Sequence, residues 1–207
     1  MTLPYFVAFD LETGGTDEKK NSILTGYFAV LDKDLTLIED LELYFNPPEG
    51  LTTEEGALKA NGIDLEKHLS RADLVTYKQG AEKIADLLVR NKPKRSKLRP
   101  MGYNIGFDIR FINQNLIQAE SWDGLVHYAM ADAFNVVNFL KDIDFVPQEV
   151  GSLGSVVKHF GLNEGLYHTA KDDVKMSVEV YRKLREMISN LRNNNGAQAL
   201  DLLEIIE

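Results

Sequence analysis

Two carboxylates stand two residues apart in Tyr5-Phe6-Val7-Ala8-Phe9-Asp10-Leu11-Glu12-Thr13-Gly14-Gly15. The dense apolar run before them reads as a buried strand. Side chains alternate along a strand, so Asp10 and Glu12 project to one side, roughly 7 Å apart. Like charges held that close repel unless a cation sits between them. The glycines that follow would let something approach the backbone closely. A strand that simply runs out into a polar loop accounts for the same residues, so the rest of the chain must decide.

Two distant segments add to the chemistry. Asp108 closes Asn104-Ile105-Gly106-Phe107-Asp108, and His168-Thr169-Ala170-Lys171-Asp172-Asp173-Val174 opens the last long helix. Thr169 and Asp172 have capping-box spacing, which commits Asp172 to the backbone. Asp173 is rotated about 100° further round and can serve elsewhere. Asp10, Glu12, Asp108 and Asp173 form an oxygen-rich set that prefers magnesium or manganese to zinc. Two such ions, roughly 3.5–4 Å apart, stabilise the attacking and leaving oxygens of a phosphoryl displacement. His168, on the loop before the helix, suits a base that takes a proton from water. Each residue alone has a plainer reading: a surface histidine, or a carboxylate facing a helix dipole.

The elements that must position these groups alternate in a recognisable way. Strands are expected over about Leu3 to Asp10, Ile23 to Leu31 and Leu35 to Phe45, the last two joined by a turn at Asp32-Lys33-Asp34. Asn46-Pro47-Pro48 stops the third. Thr52 and Glu55 have capping-box spacing for a short helix that stops at Asn61-Gly62. A polar segment separates it from a helix over Tyr77 to Asn91, with Ile84, Leu87 and Leu88 on one face. A fourth strand spans about Arg99 to Tyr103, where Pro100 is tolerable only at the first position. A helix follows through about Gln118, with Phe107 and Phe111 four apart in its core face. A fifth strand covers Val126 to Ala131 and ends at Asp132. Helices are expected over Ala133 to Lys141, Ser152 to Phe160, and from Ala170 to Asn193. This order describes an α/β sheet, an antiparallel meander followed by parallel strands. Ligands in such sheets sit beyond the carboxyl ends of the parallel strands, where Asp10, Glu12 and Asp108 fall.

The 207 residues, 44% hydrophobic, suit one domain with a substantial core. Without cysteine there is no disulfide framework, thiolate metal site or thiol nucleophile. No membrane span or secretory pattern is present, and a cytoplasmic location is expected. The net charge of -9 is the reverse of a surface that grips nucleic acid throughout. Either nucleic acid is irrelevant, or it is held locally with cations neutralising its phosphates. Lys92-Pro93-Lys94-Arg95-Ser96-Lys97-Leu98-Arg99 is the one strong basic cluster, a solvated connector or a phosphate-contacting loop.

Together the three segments resemble the DEDD superfamily of 3'-5' exonucleases in its histidine-bearing branch. That branch includes proofreading exonuclease subunits, ribonuclease T and oligoribonuclease. The likeness rests on Phe9 to Gly15, on Asn104 to Asp108, and on His168 to Val174, with five positions from His168 to Asp173. Gly151-Ser152-Leu153 through His159-Phe160-Gly161-Leu162 is similar to the helix before the third motif. The resemblance implies a ribonuclease H-like fold, a mixed five-stranded sheet flanked by helices. It implies an exonuclease domain over residues 1–192 and a short tail over 193–207. It implies Asp10, Glu12, Asp108 and Asp173 as ligands of two divalent cations, Mg2+ or Mn2+, with His168 as general base. Leu11, Thr13 and Asn104 would hold the terminal nucleotide of a single-stranded 3' end, DNA in the first reading and RNA in the second. Gly56 and Asn61 occupy the places where some relatives carry a Glu and a His near that end, so Asn61 joins the substrate-binding set. A non-catalytic nucleic-acid-binding module on the same fold is the rival of another class. Gln198-Ala199-Leu200-Asp201-Leu202-Leu203 loosely resembles peptides that bind the sliding clamp, which would link the tail to a clamp or polymerase.

Overall fold

A computed structural model describes residues 5–94, 96–162 and 169–194, the last four by backbone alone. Its centre is β1 (Phe6–Thr13), flanked by β2 (Ile23–Leu31) and β4 (Arg99–Gly102). β3 (Leu37–Tyr44) and β5 (Ala131–Asp132) complete a sheet of order β3-β2-β1-β4-β5. β1 and β3 pair antiparallel with β2, while β4 runs parallel to β1 and β5 parallel to β4. The fold is the expected mixed α/β sheet of ribonuclease H-like type.

The period of two along β1 sets the two layers. Val7, Phe9 and Leu11 face Ile84, Leu87 and Leu88 of α3 (Tyr77–Asn91), Phe111 and Ile112 of α4 (Gly106–Asn115), and Trp122 of α5 (Ala119–Leu125). Each of these large side chains contributes about 1.5–3 kcal/mol on burial. Phe6 and Ala8 turn the other way, onto Ala170, Val174 and Val178 of α8 (Ala170–Asn194). A third cluster joins α8 to α6 (Ala133–Asp142) and α7 (Leu153–His159) through Val137, Val156, Val157 and Val180. Asp10 and Glu12 share the α8 side of β1, which puts them where α8 begins.

Several local expectations are corrected. β1 runs on through Thr13, because Tyr27 and Thr25 of β2 pair with Asp10 and Glu12. Leu35 belongs to the turn, at φ 65°, rather than to β3. The hydroxyl of Thr52 donates to the Lys20 carbonyl and accepts from Asn21, so it caps nothing; Glu54 precedes α1 (Glu55–Asn61) without a side-chain cap. The expected stop holds, with Gly62 in the left-handed region at φ 64°. The polar segment that follows contains α2 (Leu65–Leu69), capped by Asp64. Pro100 is the second residue of β4, not the first. The Arg99 N–H donates to Tyr5 of the β1 side, so the proline nitrogen faces β5, whose ladder begins only opposite Met101. β5 is short: Val126 makes only an isolated parallel bridge to Leu98, and Arg99 takes the carbonyls of Ala129 and Met130 with its guanidinium. The basic cluster lies at the start of β4, the end of the sheet away from Asp108; Arg95 and the tail over 195–207 lie outside the described residues.

Candidate active site

Carboxylate oxygens of Asp10, Glu12 and Asp173 all lie within 4.8 Å of one another. Three local causes bring them together. The pleat of β1 aims Asp10 and Glu12 to one side. The Thr169 hydroxyl accepts the Asp172 N–H at 3.1 Å and donates to the Asp172 carboxylate at 3.0 Å, which starts α8 and turns Asp173 inward. Lys171 sits 3.8 Å from both Asp40 and Glu42 and over the Tyr27 ring, seating the first turn of α8 on β2 and β3. The division of labour between Asp172 and Asp173 is thus the one the capping pattern indicates.

Asp108 joins from the opposite layer. β1 and β4 pair only from Phe6 to Ala8, so the Leu11 N–H on that edge has no strand partner. The buried Asp108 carboxylate accepts it at 3.0 Å. Asp108 therefore stands beside the cluster, tethered to the residue between Asp10 and Glu12, and outside the group of three.

Electrostatics record the crowding. Burial, then the charges of Asp108, Glu12 and Asp173, hold the Asp10 carboxyl well above its ordinary range. Burial and the Asp173 charge push Glu12 up to about 7. Burial also raises Asp108, against the pull of the Leu11 N–H. Glu12 Oε1 is buried without a hydrogen-bond partner. A buried acceptor left bare costs about 1–3 kcal/mol, and a hard cation among these oxygens would satisfy it and relieve the repulsion. The donor set fits such a cation.

The remaining expected residues are placed as follows. Leu11 is buried, and its N–H is taken by Asp108. Thr13 donates its hydroxyl to the Gly15 carbonyl at 2.7 Å. Asn61 donates to the Thr13 carbonyl at 3.0 Å, tying α1 to the end of β1. Asn104 is exposed, at φ 60°, with its N–H on Asp132 at 2.8 Å. His168 lies outside the described residues. Phe111 is fully buried; Phe107 is half-buried, its ring tilted against Phe111, so only one of the pair is full core.

Two features escaped sequence reasoning. The glycines after Thr13 accommodate the chain itself. A Cβ on Gly14 would meet Ser22 Oγ at 2.5 Å, and one on Gly15 would meet the Asn21 side chain at 2.4 Å. Asp132 is the second. Its Oδ1 accepts both the Asn104 N–H and the Phe134 N–H, capping α6 and fixing the turn that leads to Asp108. A carboxylate at a parallel-strand end directly before a helix was the available signal.

Set against known proteins, this α/β architecture places the chain in a fold class before any finer assignment. It matches no protein-family profile and no curated protein. Its structure is similar to E. coli exonuclease I in complex with a dT13 oligonucleotide, at TM-score 0.71 and 18% identity over 92% of this chain and 43% of that one. It is similar to the zinc-bound form of the E. coli exonuclease I–ssDNA complex, at TM-score 0.73 and 19% identity over 93% and 43%. The complex with a 5cy-dT13 oligonucleotide gives TM-score 0.69 and 20% identity over 96% and 46%. This chain spans less than half the length of those proteins, and at such identity the likeness establishes the fold alone.

Proposed function

We propose that this chain is a 3'-5' exonuclease that removes nucleoside monophosphates from single-stranded 3' ends, DNA in preference to RNA. The observation that carries the reading is the convergence of Asp10, Glu12 and Asp173 oxygens within 4.8 Å, with Asp108 tethered alongside by the Leu11 N–H. The DNA oligonucleotides bound by E. coli exonuclease I support the substrate class. Asp10, Glu12 and Asp173, with Asp108 beside them, would hold two divalent cations, Mg2+ or Mn2+. When bound, such ions polarise a phosphodiester and offset the charge that develops on its oxygens. Asp108 keeps the Asp10–Glu12 backbone from shifting as charge is drawn in. Asn61 and the Gly15 carbonyl keep Thr13 at the end of β1, where the sugar and phosphate of the terminal nucleotide would lie with Leu11 and Asn104. His168, one residue ahead of the Thr169 cap, would accept a proton from the attacking water. The water oxygen bonds to phosphorus, the bond from phosphorus to the 3' oxygen breaks, and that oxygen takes a proton from solvent, so the shortened strand ends in a 3' hydroxyl and the released nucleotide carries the phosphate.

A 5'-labelled single-stranded oligonucleotide should shorten stepwise from its 3' end with magnesium. Asp173→Asn should slow this about a hundredfold or more, since metal stabilisation is worth several kcal/mol at tenfold per 1.36 kcal/mol. Undiminished hydrolysis by that variant, or cleavage that begins at the 5' end, refutes the proposal.

A further inference from the structure

Glu12, with Thr169 and Ala170 at the start of α8, lines one end of a pocket of about 390 Å³ that extends over β2 and β3. Glu12, Thr25 and Tyr44 are opposite one another across three strands. Tyr44 therefore stands two strand spacings from Glu12, roughly 10 Å, with the short Thr25 side chain on the strand between. That is the reach from a phosphate held near Glu12, across a sugar, to a base.

The far end of the pocket is built rather than incidental. The Arg71 guanidinium sits over the Tyr44 ring, its Cζ 3.4 Å from the ring centroid. Asp73 holds the guanidinium from the edge, Oδ1 to Nε and Oδ2 to Nη2, each at 2.8 Å. Tyr44 is held in turn by its hydroxyl, which donates to Glu42 at 2.6 Å. The backbone beneath is equally fixed. Val75 N–H donates to the Tyr44 carbonyl, and buried His68 reaches the Phe45 carbonyl at 2.9 Å. Tyr44 covers one face of the guanidinium, and Arg71 is a partly exposed lining residue of the pocket.

We infer that Arg71, pinned on Tyr44 by Asp73, is the stacking platform for the base of the 3'-terminal nucleotide. The inference rests on Glu12 belonging to the hydrolytic site. Bases stack on guanidinium planes as they do on aromatic rings. Because Asp73 occupies Nε and Nη2, the platform meets a base by its face and not by a hydrogen-bonding fork. Recognition is consequently tolerant of base identity, as stepwise trimming of strands of any sequence requires. Arg71 is a substrate-positioning residue and takes no part in proton transfer.

The test compares equilibrium binding of dAMP, dTMP and deoxyribose 5-phosphate with magnesium present, for the unaltered protein, Arg71→Ala and Arg71→Lys. The unaltered protein should prefer both nucleotides to the base-free sugar phosphate by about 5- to 150-fold, the worth of one stacked base. Arg71→Ala should bring the three ligands within about threefold of one another. Arg71→Lys should do the same, since it keeps the charge and lacks the plane. Thermal melts confirm that both variants are folded. A base preference that survives in Arg71→Ala, or returns in Arg71→Lys, overturns the platform. Stepwise DNA hydrolysis is scored separately. Hydrolysis with an Arg71-independent preference sinks the platform alone, and an Arg71-dependent preference without hydrolysis sinks the exonuclease reading alone.

Discussion

Glu12 shows at the residue scale how a site stores its affinity. Its carboxylate is buried, one oxygen is bare, and burial followed by Asp173 raises its pKa from 4.5 to about 7. A carboxyl raised on folding favours the folded state fully below its unfolded pKa. That contribution is lost as pH climbs through the folded value. In metal-free protein, Glu12 thus removes stability between about pH 4.5 and pH 7. Glu12→Gln cannot ionise and should escape this loss. With chelator present, the melting temperature of Glu12→Gln minus that of the unaltered protein should grow by a few degrees from pH 4.5 to 7.5. Magnesium should close the gap at pH 7.5, because a bound cation compensates the carboxylate. A pH-independent difference would show that Glu12 is neither buried nor crowded as described.

At the scale of elements, the site is a meeting of ends. β1 carries two carboxylates out past the end of β4, α4 supplies a third to the unpaired edge of β1, and α8 begins where its first turn can add a fourth. The least obvious support is Asp132, where β5 ends and α6 starts. One of its oxygens serves the α6 cap and the Asn104 turn together. Asp132→Ala should cost about 2–3 kcal/mol, from a lost cap and an orphaned N–H. It should also raise the magnesium concentration needed for half-maximal stabilisation, because the turn before Asp108 is released. Asp132→Asn, which retains the Oδ1 acceptor, should recover most of both. Thermal melts across a magnesium titration read the two effects. If Asp132→Ala shifted stability and left the magnesium midpoint unmoved, the carboxylate would be a helix cap only.

The whole molecule is acidic, with a net charge of -9, and its site concentrates that charge. A phosphate backbone is repelled from such a surface until cations occupy the carboxylates. Binding of a single-stranded oligonucleotide should therefore depend on divalent ions before any bond is broken. Fluorescence anisotropy at fixed ionic strength should show affinity falling about tenfold or more with chelator, since unscreened like charges cost several kcal/mol. Dependence on monovalent salt should be shallow, with a log–log slope no steeper than about −2, because few basic side chains displace counterions. A steep slope with chelator-insensitive binding would point to a basic surface elsewhere and remove the role given to the acidic cluster.

Local chemistry is what the sequence by itself determined. The strands at Ile23–Leu31 and the helix at Tyr77–Asn91 were legible to the residue, because periodicity and stop signals act over a few neighbours. The α/β order was legible, and so was the separation of Asp172 from Asp173, which is a matter of one helical turn. Tertiary structure alone decided what depends on partners remote in the chain. The Thr52 hydroxyl was claimed by Lys20 and Asn21 instead of a helix, and Gly14 and Gly15 made room for Ser22 and Asn21. Asp108 took up an N–H that β4 was too short to reach, and Arg71 met Tyr44 across a loop. Hydrogen bonds and stacking are made by whichever groups the fold brings within a few ångströms. Spacing along the chain carries that information only when the partners are neighbours in it.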